Sequence, residues 1–375
     1  MTEPGDLRLA VDATPLLGLR SGVGRYLEGV LGGLAGLTSA PEPLLTLFSR
    51  RGPVPDPYPP GTRPAPRRLP GRVLQAGWKR AAFPPVEVLT GRIDVFHAGN
   101  YVLPPLRRAA GVVTVHDLTY LRYPETIDDY VATYRHRVPD ALRRAGRVVT
   151  VSEAVRTELC AEYSLDPARV VVAPNGVDAA WSRAQPLPPP DRARLCLPER
   201  YLLFIGNLEP RKGLATLARA HAAARRDYPG VPPLVLVGPP GWGNVWNGRE
   251  PDPADVRHLG FLADKDLRRV VAGALALCMP SVYEGFGLPV LEALACGRPA
   301  LVSDIPAHHE VGGALVRYLP VAGLDAWSQA MVEVSTQPDG PTSGAARQAR
   351  AALFTWERSA AVHLETWRRA AAERP

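Results

Sequence analysis

Short apolar runs rich in β-branched residues alternate with helical patterns such as SGVGRYLEGVLGGLAGL (21–37) and DDYVATYRHRVPDALRRAG (128–146). Several of these runs are apolar without alternation, as expected for strands that are buried on both faces. The strand–helix–strand order predicts a parallel sheet with right-handed crossovers. The predicted strands of this first series are LRLAVD (7–12), LLTLFSR (44–50), IDVFHA (93–98), VVTVHD (112–117), RVVTVS (147–152) and VVVAP (170–174).

The alternation restarts after a proline-rich polar segment, SRAQPLPPPDRARLCLPER (182–200), which is typical of a linker. The sequence therefore predicts an α/β fold with two doubly wound, Rossmann-like parallel-sheet domains that face each other across a cleft. We place the first domain at 1–182, the linker at 183–200, the second domain at 201–353 and a final helical segment at 354–375. The predicted strands of the second series are YLLFIG (201–206), PLVLVG (233–238), RHLGFL (257–262), LALCMP (275–280), PALVSD (299–304) and LVRYLP (315–320).

Composition agrees with two packed domains, because the chain has 375 residues and 46% of them are apolar. The net charge of +7 is spread over both halves, so no basic arm points to a nucleic-acid partner. One local run of positive charge is either a solvated face or a contact with an acidic surface or acceptor. It consists of Arg63, Arg67, Arg68, Arg72, Lys79 and Arg80.

The cysteines and the start of the chain indicate the compartment. Cys160, Cys196, Cys278 and Cys296 form no CxxC pair and are typical of reduced residues in a cytosolic protein. The start, MTEPGDLRLAVD, has early acids and no long apolar run, which is unlike a signal peptide. No uncharged apolar run reaches the ~18 residues of a membrane span. We expect a cytoplasmic protein that could also lie peripherally against the inner face of a membrane.

The segment SVYEGFGLPVLEALACG (281–297) has the features of a ligand-binding turn. Its glycines let backbone amides approach a ligand, and a helix that starts near Pro289 favours an anion such as a phosphate. Glu292, about one turn into that helix, suits a vicinal diol such as a ribose, and Glu284 lies at the other end of the turn. A nucleotide sugar has a hydroxylated ring on each side of its phosphates. Helix capping by the glutamates is the alternative explanation.

Glu284 and Glu292, separated by seven residues, resemble the E-x7-E motif of retaining glycosyltransferases of the GT-B fold, family 4 (glycosyltransferase group 1). This family includes many bacterial mannosyl- and glucosyltransferases. The resemblance runs over nearly the whole chain. It implies an acceptor-side first domain, a second domain that binds the nucleotide sugar, and a last helix that packs back on the first domain. The similar segments include SGVGRYL (21–27), VVTVHDLTYLRYPE (112–125), FIGNLEPRKGLATLARA (204–220) and FTWERSA (354–360).

Arg211 and Lys212 follow the first strand of the second domain. Two cations beside a helix N-terminus would neutralise a diphosphate and the charge that grows as it leaves, although a solvated turn would explain them too. Some family members carry an arginine directly after the glycine of this strand, where this chain has Asn207, so Arg211 is the remaining candidate for that phosphate contact.

The resemblance also implies that the loop at Gly22 approaches the diphosphate, that His116 contacts the transferred sugar and that Asp117 orients the loop after it. The expected catalytic residues are His116, Glu284, Arg211 and Lys212. The expected donor-binding residues are Gly22, Gly206, Arg211, Lys212, Gly285, Phe286, Gly287, Leu288 and Glu292.

No metal site is predicted. DKD (264–266) precedes an apolar helix and is best explained as a helix cap, and HHE (308–310) lacks the HExxH spacing of a zinc site. No GxGxxG with a downstream acid follows a strand, so a nicotinamide enzyme is disfavoured. We expect no cofactor besides the nucleotide-sugar donor. Whether His308 and His309 border the donor sugar or the acceptor is left open.

The expected reaction moves a hexose from a nucleoside-diphosphate sugar to an acceptor hydroxyl in glycan or lipid-linked saccharide synthesis. The stretch HDLTYLRYPE (116–125) resembles mannosyltransferases, so GDP-mannose is the first choice of donor. Two alternatives remain: another GT-B enzyme such as a nucleotide-sugar epimerase or a phosphorylase, and a catalytically silent GT-B subunit that partners another transferase. The sequence does not indicate the linkage formed or the oligomeric state.

Overall fold

The computed structural model describes residues 7–18, 21–49, 53–54, 56–65, 70–246, 248, 250–252, 254–337 and 341–374, with only the backbone at 72, 79–81 and 341–342. Of the basic run, Arg67 and Arg68 and the side chains of Arg72, Lys79 and Arg80 therefore lie outside the described part of the chain. The chain divides into two compact units. The first comprises Met1–Leu121, Asp129–Gly176 and Phe354–Pro375, and the second comprises Arg122–Asp128 and Val177–Leu353.

The first unit contains a seven-stranded sheet in which every described pairing is parallel, with the order β3-β2-β1-β4-β5-β6-β7. The chain moves outward from β1 to one edge, returns, and builds the other half from β4 onward, so the sheet is doubly wound and its switch point lies between β1 and β4. The strands are β1 (Leu9–Asp12), β2 (Leu44–Thr46), β3 (Arg63–Pro64), β4 (Val95–Ala98), β5 (Ala110–Val115), β6 (Arg147–Thr150) and β7 (Val170–Val172).

The second unit repeats this plan with a six-stranded parallel sheet in the order β10-β9-β8-β11-β12-β13, so its switch point lies between β8 and β11. Four of its strands, β8, β9, β11 and β12, are buried along their whole length, as their unbroken apolar runs predict. The strands are β8 (Leu202–Ile205), β9 (Leu234–Val237), β10 (Val256–His258), β11 (Ala276–Met279), β12 (Ala300–Ser303) and β13 (Arg317–Leu319).

Helices connect these strands in both units. The predicted α/β class with two doubly wound parallel sheets is confirmed. In chain order the helices are α1 (Gly22–Ala35), α2 (Gly71–Ala81), α3 (Glu87–Thr90), α4 (Thr119–Arg122), α5 (Asp129–Ala132), α6 (Tyr134–Arg144), α7 (Glu153–Tyr163), α8 (Ala179–Ser182), α9 (Pro189–Arg194), α10 (Leu214–Asp227), α11 (Asp264–Gly273), α12 (Leu288–Ala295), α13 (Pro306–Gly312), α14 (Leu324–Thr336), α15 (Pro341–Ala351) and α16 (Trp356–Ala372). Of the helices in the described ranges, none has both the length and the apolarity that a bilayer crossing needs.

The last helix, α16, packs on α1 inside the first unit, and glycines make the close approach possible. A Cβ on Gly29 would lie 2.2 Å from the Trp356 indole, and one on Gly33 would lie 2.3 Å from the Trp356 carbonyl oxygen. A Cβ on Gly176 would lie 2.2 Å from the Trp356 backbone nitrogen. Trp356 therefore sits in a socket formed by Gly29, Gly33 and Gly176, which no larger residue could line without displacing α16.

The compact units differ from the predicted domain ranges at 122–128 and 177–200, which lie with the second sheet. Side-chain contacts account for the first of these segments. The Trp242 indole N–H donates to the Thr126 carbonyl at 2.8 Å, and the Tyr123 and Tyr283 rings lie 5.6 Å apart. The local composition of 122–128 could not reveal such contacts, and the predicted ranges stay a prediction.

Candidate active site

Two loops of the second unit meet at its switch point, one after β8 (206–213) and one after β11 (280–287). The loops are joined directly, because the Val282 N–H donates to the Arg211 carbonyl at 2.9 Å. Gly213 ends the first loop at φ +68°, and a Cβ there would lie 2.3 Å from the Pro280 carbonyl oxygen, so only glycine fits. Ligands of open α/β sheets bind outside the carboxyl ends of the strands at such a point.

Glu284 is the centre of a charged cluster in these loops. Its carboxylate accepts hydrogen bonds from Lys212 Nζ at 2.6 Å, Ser281 Oγ at 2.7 Å and Arg211 Nη1 at 3.2 Å. The side chain is only 10% exposed. Burial alone would raise the pKa of Glu284, but the Lys212 and Arg211 charges outweigh it and hold that pKa well below its usual range. Glu284 is therefore an anion at every physiological pH.

Arg211 connects this cluster to a second carboxylate. Its Nη2 donates to Glu209 Oε1 at 2.6 Å, and its Nη1 donates to the Tyr283 carbonyl at 2.6 Å. Arg211 and Lys212 are each 12% exposed on their side chains, and Glu209 is 6% exposed. The two cations are thus balanced by the Glu209 and Glu284 carboxylates, a pairing that the sequence analysis did not foresee.

The glycine turn leads into α12, which starts at Leu288, one residue before the predicted Pro289. Gly287 precedes the helix at φ +102°, a backbone conformation that favours glycine. Phe286 is 5% exposed and packs the turn onto the core. Glu292 is buried within α12, with 4% of its surface exposed. One turn later, the pKa of Cys296 is raised to about 12, mainly because the thiol is buried and to a smaller extent because the Glu292 charge is close. The ribose contact assigned to Glu292 stays a prediction.

His308 and His309 occupy different surroundings, although they are adjacent in α13. The fully buried His308 donates Nδ1–H to the Ser303 carbonyl at 2.9 Å, and burial lowers its pKa. A Cβ on Gly287 would lie 3.2 Å from its Cδ2, so this imidazole flanks the glycine turn. His309 instead bonds Asp304 at 2.6 Å and stacks on Tyr318 at 3.9 Å.

Sequence reasoning missed Ser281, Glu209 and the position of His308. Ser281 lies three residues before Glu284, and Glu209 lies two residues before Arg211. A polar residue within two positions of the end of a buried strand is the signal that could have identified Ser281, because β11 ends at Met279.

In the first unit, His116 follows β5 and its side chain is fixed on three sides. Its Nε2 lies 2.8 Å from the Gly99 carbonyl oxygen, so Nε2 carries the proton and Nδ1 is the acceptor of the neutral ring. The rings of Tyr26 and Tyr101 stand edge-on to it at 4.8 and 5.7 Å. Burial lowers the pKa of His116 despite the Gly99 bond and the nearby Asp117 charge.

Asp117 and Gly22 complete the predicted residues of this unit. Asp117 accepts hydrogen bonds from the Tyr101 hydroxyl at 2.9 Å and from the Thr119 N–H at 3.0 Å, so it orders the loop after β5. Gly22 begins α1, where the hydroxyl of Ser21, the N-cap residue, accepts from the Gly24 N–H at 3.2 Å. An added Cβ on Gly22 would meet no atom within 4 Å, so packing does not require glycine there.

The chain matches known transferases over both units. A family model described as "Glycosyltransferase Family 4" matches residues 21–181, and one described as "Glycosyl transferases group 1" matches residues 199–337. The chain is 31% identical over 273 residues to O-antigen chain mannosyltransferase B of Escherichia coli, an alignment that covers 70% of this chain and 71% of that protein. It is 34% identical over 254 residues to a D-inositol 3-phosphate glycosyltransferase of Kineococcus radiotolerans, covering 61% of this chain and 58% of that one.

These matches define the protein as a glycosyltransferase. More specifically, the chain belongs to glycosyltransferase family 4, as its sequence motifs predict.

Solved structures agree on the fold. Sucrose-phosphate synthase from Thermosynechococcus elongatus superposes with a TM-score of 0.69 at 20% identity, covering 97% of this chain and 99% of that one. Anabaena HepE in complex with UDP and glucose superposes with a TM-score of 0.67 at 17% identity, covering 96% and 99%. The predicted GT-B fold is confirmed. Within the described ranges, no group of three or more His, Cys, Asp or Glu side chains is arranged to hold a metal ion.

Proposed function

We propose that the protein is a retaining, metal-independent hexosyltransferase that moves a hexose from a nucleoside-diphosphate sugar to an acceptor hydroxyl. The observation that carries this proposal is the cluster of Lys212, Arg211 and Glu284 at the switch point of the second unit. Two cations on the loop after β8 match a diphosphate, whose negative charge grows as it leaves the sugar. The buried position strengthens their effect, because water screens them little.

Glu284 is best suited to bind sugar hydroxyls. Its low pKa prevents it from acting as a general acid. Its carboxylate is engaged by Lys212, Ser281 and Arg211, which disfavours a nucleophilic role. Oε1 already accepts from both Lys212 and Ser281, whereas Oε2 accepts from Arg211 and keeps a second lone pair that can accept from a hydroxyl.

Retention then follows from attack on the face that the diphosphate leaves, through an oxocarbenium-like transition state. The departing phosphate oxygen takes the proton of the acceptor hydroxyl while the glycosidic bond forms. The cations stabilise the diphosphate as the carbon–oxygen bond breaks, so the reaction needs no metal for this purpose.

The other predicted residues have supporting parts in this proposal. Glu292 accepts hydrogen bonds from the ribose hydroxyls, and the amides of Gly285, Phe286, Gly287 and Leu288, with that of Gly206, approach the donor. His116 accepts a hydrogen bond from a hydroxyl of the transferred sugar through Nδ1, and Gly22 offers a backbone amide to the diphosphate.

GDP-mannose is the proposed donor, supported by the similarity to O-antigen chain mannosyltransferase B. The proposed acceptor is a saccharide or a lipid-linked saccharide in glycan synthesis. An acceptor of the second kind agrees with a cytoplasmic protein that contacts the inner face of a membrane peripherally.

The test is a donor screen on the purified protein, in which release of nucleoside diphosphate is measured with GDP-mannose and other donors, with a pool of saccharide acceptors and with EDTA present. We expect acceptor-dependent release of GDP that EDTA does not abolish, and an α-linked product when the donor is α-linked. An isomerised sugar nucleotide without acceptor would show an epimerase instead. Tight nucleotide binding with no turnover would show a silent subunit.

A further inference from the structure

A continuous chain of hydrogen bonds crosses the core of the first unit, starting and ending on α16. It connects that helix to β4, β5 and α1 in turn. All six residues are buried, with at most 1% of each exposed. We call this chain the circuit, and its members are Trp367, His97, Thr114, Tyr26, His363 and Ser359.

The end nearest the C-terminus fixes the proton of the first histidine. An indole N–H can only donate, so Trp367 Nε1, 3.0 Å from His97 Nδ1, makes that nitrogen the acceptor. The neutral His97 ring therefore carries its proton on Nε2, which lies 3.2 Å from Thr114 Oγ1 and donates to it.

At the other end of the circuit, the hydrogen bond to Ser359 fixes which nitrogen of His363 carries the proton. The Ser359 carbonyl can only accept, so His363 donates Nδ1–H to it at 2.7 Å. His363 Nε2 then accepts the Tyr26 hydroxyl proton at 2.8 Å. The Thr114 hydroxyl completes the circuit by donating to the Tyr26 oxygen, also at 2.8 Å. Each member of the circuit donates a proton to the next, from Trp367 to Ser359. Because each imidazole donates through one nitrogen and accepts through the other, both rings must be neutral.

The circuit reaches His116 from two directions. The Tyr26 ring stands edge-on to the His116 ring, with the ring centroids 4.8 Å apart and the ring planes at 81°. Thr114 is part of β5, and His116 follows it two residues later, just after the end of that strand. Since the Tyr26 hydroxyl is held by Thr114 and His363, the ring that contacts His116 cannot tilt without breaking a buried hydrogen bond.

We infer that Tyr26 and His363 are positioning residues for sugar transfer: the C-terminal helix, through His363 and the Tyr26 hydroxyl, fixes the orientation in which His116 presents Nδ1. This inference rests on the proposed function, because His116 is assigned there to a hydroxyl of the transferred sugar. Tyr26 and His363 themselves act through His116 and need not touch the substrate.

The first test uses Tyr26→Phe, which removes the hydroxyl and keeps the ring. We expect kcat to fall about tenfold with the donor KM unchanged, because the misplaced group acts in the transition state and not in nucleotide binding. His363→Phe should have the same effect. His363→Gln, whose side-chain oxygen can accept the Tyr26 proton, should restore most of kcat. Thr366→Val is the control, since Thr366 is a buried residue of α16 whose hydroxyl donates to the Val362 carbonyl at 2.7 Å and takes no part in the circuit.

A double mutant separates positioning from general damage. If Tyr26 acts through His116, then Tyr26→Phe should lower kcat no further in a His116→Ala background, whereas independent effects would multiply. Multiplication, an unchanged kcat in Tyr26→Phe, or an equal loss in Thr366→Val would each overturn the inference.

Failure of the proposed function is recognised separately. If the wild-type protein transfers no sugar from any donor, the ring resonances of His116 in NMR spectra still report its orientation. Tyr26→Phe and His363→Phe should then shift the His116 signals and Thr366→Val should not. Unshifted signals in both circuit variants would overturn the positioning role whatever the reaction is.

Discussion

Lys212 and Glu284 lie 72 residues apart in the sequence, yet Lys212 Nζ donates to Glu284 Oε1 at 2.6 Å. The contact forms because β8 and β11 are neighbours at the switch point of the second sheet, so the loops that follow them meet. A cation that neutralises Glu284 in the free protein is also the group proposed to hold the diphosphate. On this proposal, the donor would enter a site whose charges are already paired and would share Lys212 with Glu284.

Lys212→Ala should lower kcat by about 100-fold, the usual loss when one group that stabilises transition-state charge is removed. The measurement is steady-state kinetics of nucleotide release with GDP-mannose. Lys265→Ala is the matched control, because Lys265 is exposed on α11 and should leave kcat unchanged. Equal kinetics in Lys212→Ala and the wild type would remove Lys212 from the proposed site.

Glu292→Ala should mainly raise the donor KM, by about 10- to 100-fold, since a hydrogen bond to a charged group contributes about 1.5–3 kcal/mol to binding. Donor titrations at saturating acceptor measure this change. Glu365→Ala serves as control, because Glu365 is an exposed helical glutamate that pairs with Arg369 on the surface. A fall in kcat at constant KM would contradict the ribose assignment.

Stability should fall as the pH drops from about 6.5 towards 4. Burial lowers the pKa of His363 from 6.5 to about 4. The unfolded chain therefore takes up this proton at a higher pH than the folded protein does. The free energy of unfolding should decrease by about 3 kcal/mol by the time the pH reaches 4. His97 and His116, also buried with lowered pKa values, add to the same trend. Urea unfolding at a series of pH values measures the slope.

His363→Gln provides the comparison for this pH dependence. Glutamine cannot take up the proton, so the variant should show a shallower loss of stability in acid than the wild type. An identical slope in the two proteins would mean that His363 does not titrate as its surroundings indicate.

Gly33→Ala should destabilise the first unit by about 1–3 kcal/mol, because its Cβ would overlap the Trp356 backbone. Gly32→Ala, at the preceding position of the same helix, is the matched control, since its Cβ would meet no atom within 4 Å. That change should be neutral or stabilise α1 by up to about 1 kcal/mol through helix propensity. Thermal unfolding of both variants measures this difference in stability, and equal melting temperatures would contradict the close packing of α16 on α1.

Much of the fold could be predicted because the central strands are buried on both faces and read as unbroken apolar runs. LALCMP (275–280) contains β11 at Ala276–Met279, for example. The predicted strand RHLGFL (257–262) is too long, since the observed strand ends at His258 and Gly260 turns away at φ +70°. Such ends depend on local backbone conformation, which hydrophobic periodicity does not encode.

The candidate site was predictable only in part. The sequence placed Arg211 and Lys212 near the glycine turn, but not on Glu284, because ion pairing depends on which loops become neighbours. The circuit lay beyond sequence reasoning altogether. His97 is a polar residue in a buried strand, and the Trp367 indole that bonds it comes 270 residues later. Nothing local in either segment indicates that partner.

The socket around Trp356 has a consequence for how the protein is made. Gly29, Gly33 and Gly176 are synthesised at least 180 residues before Trp356, the side chain that fills the space between them. Nearly all of the second unit, 177–353, is therefore synthesised before α16, the helix that completes the first unit. The domain that is synthesised first is the last to become whole.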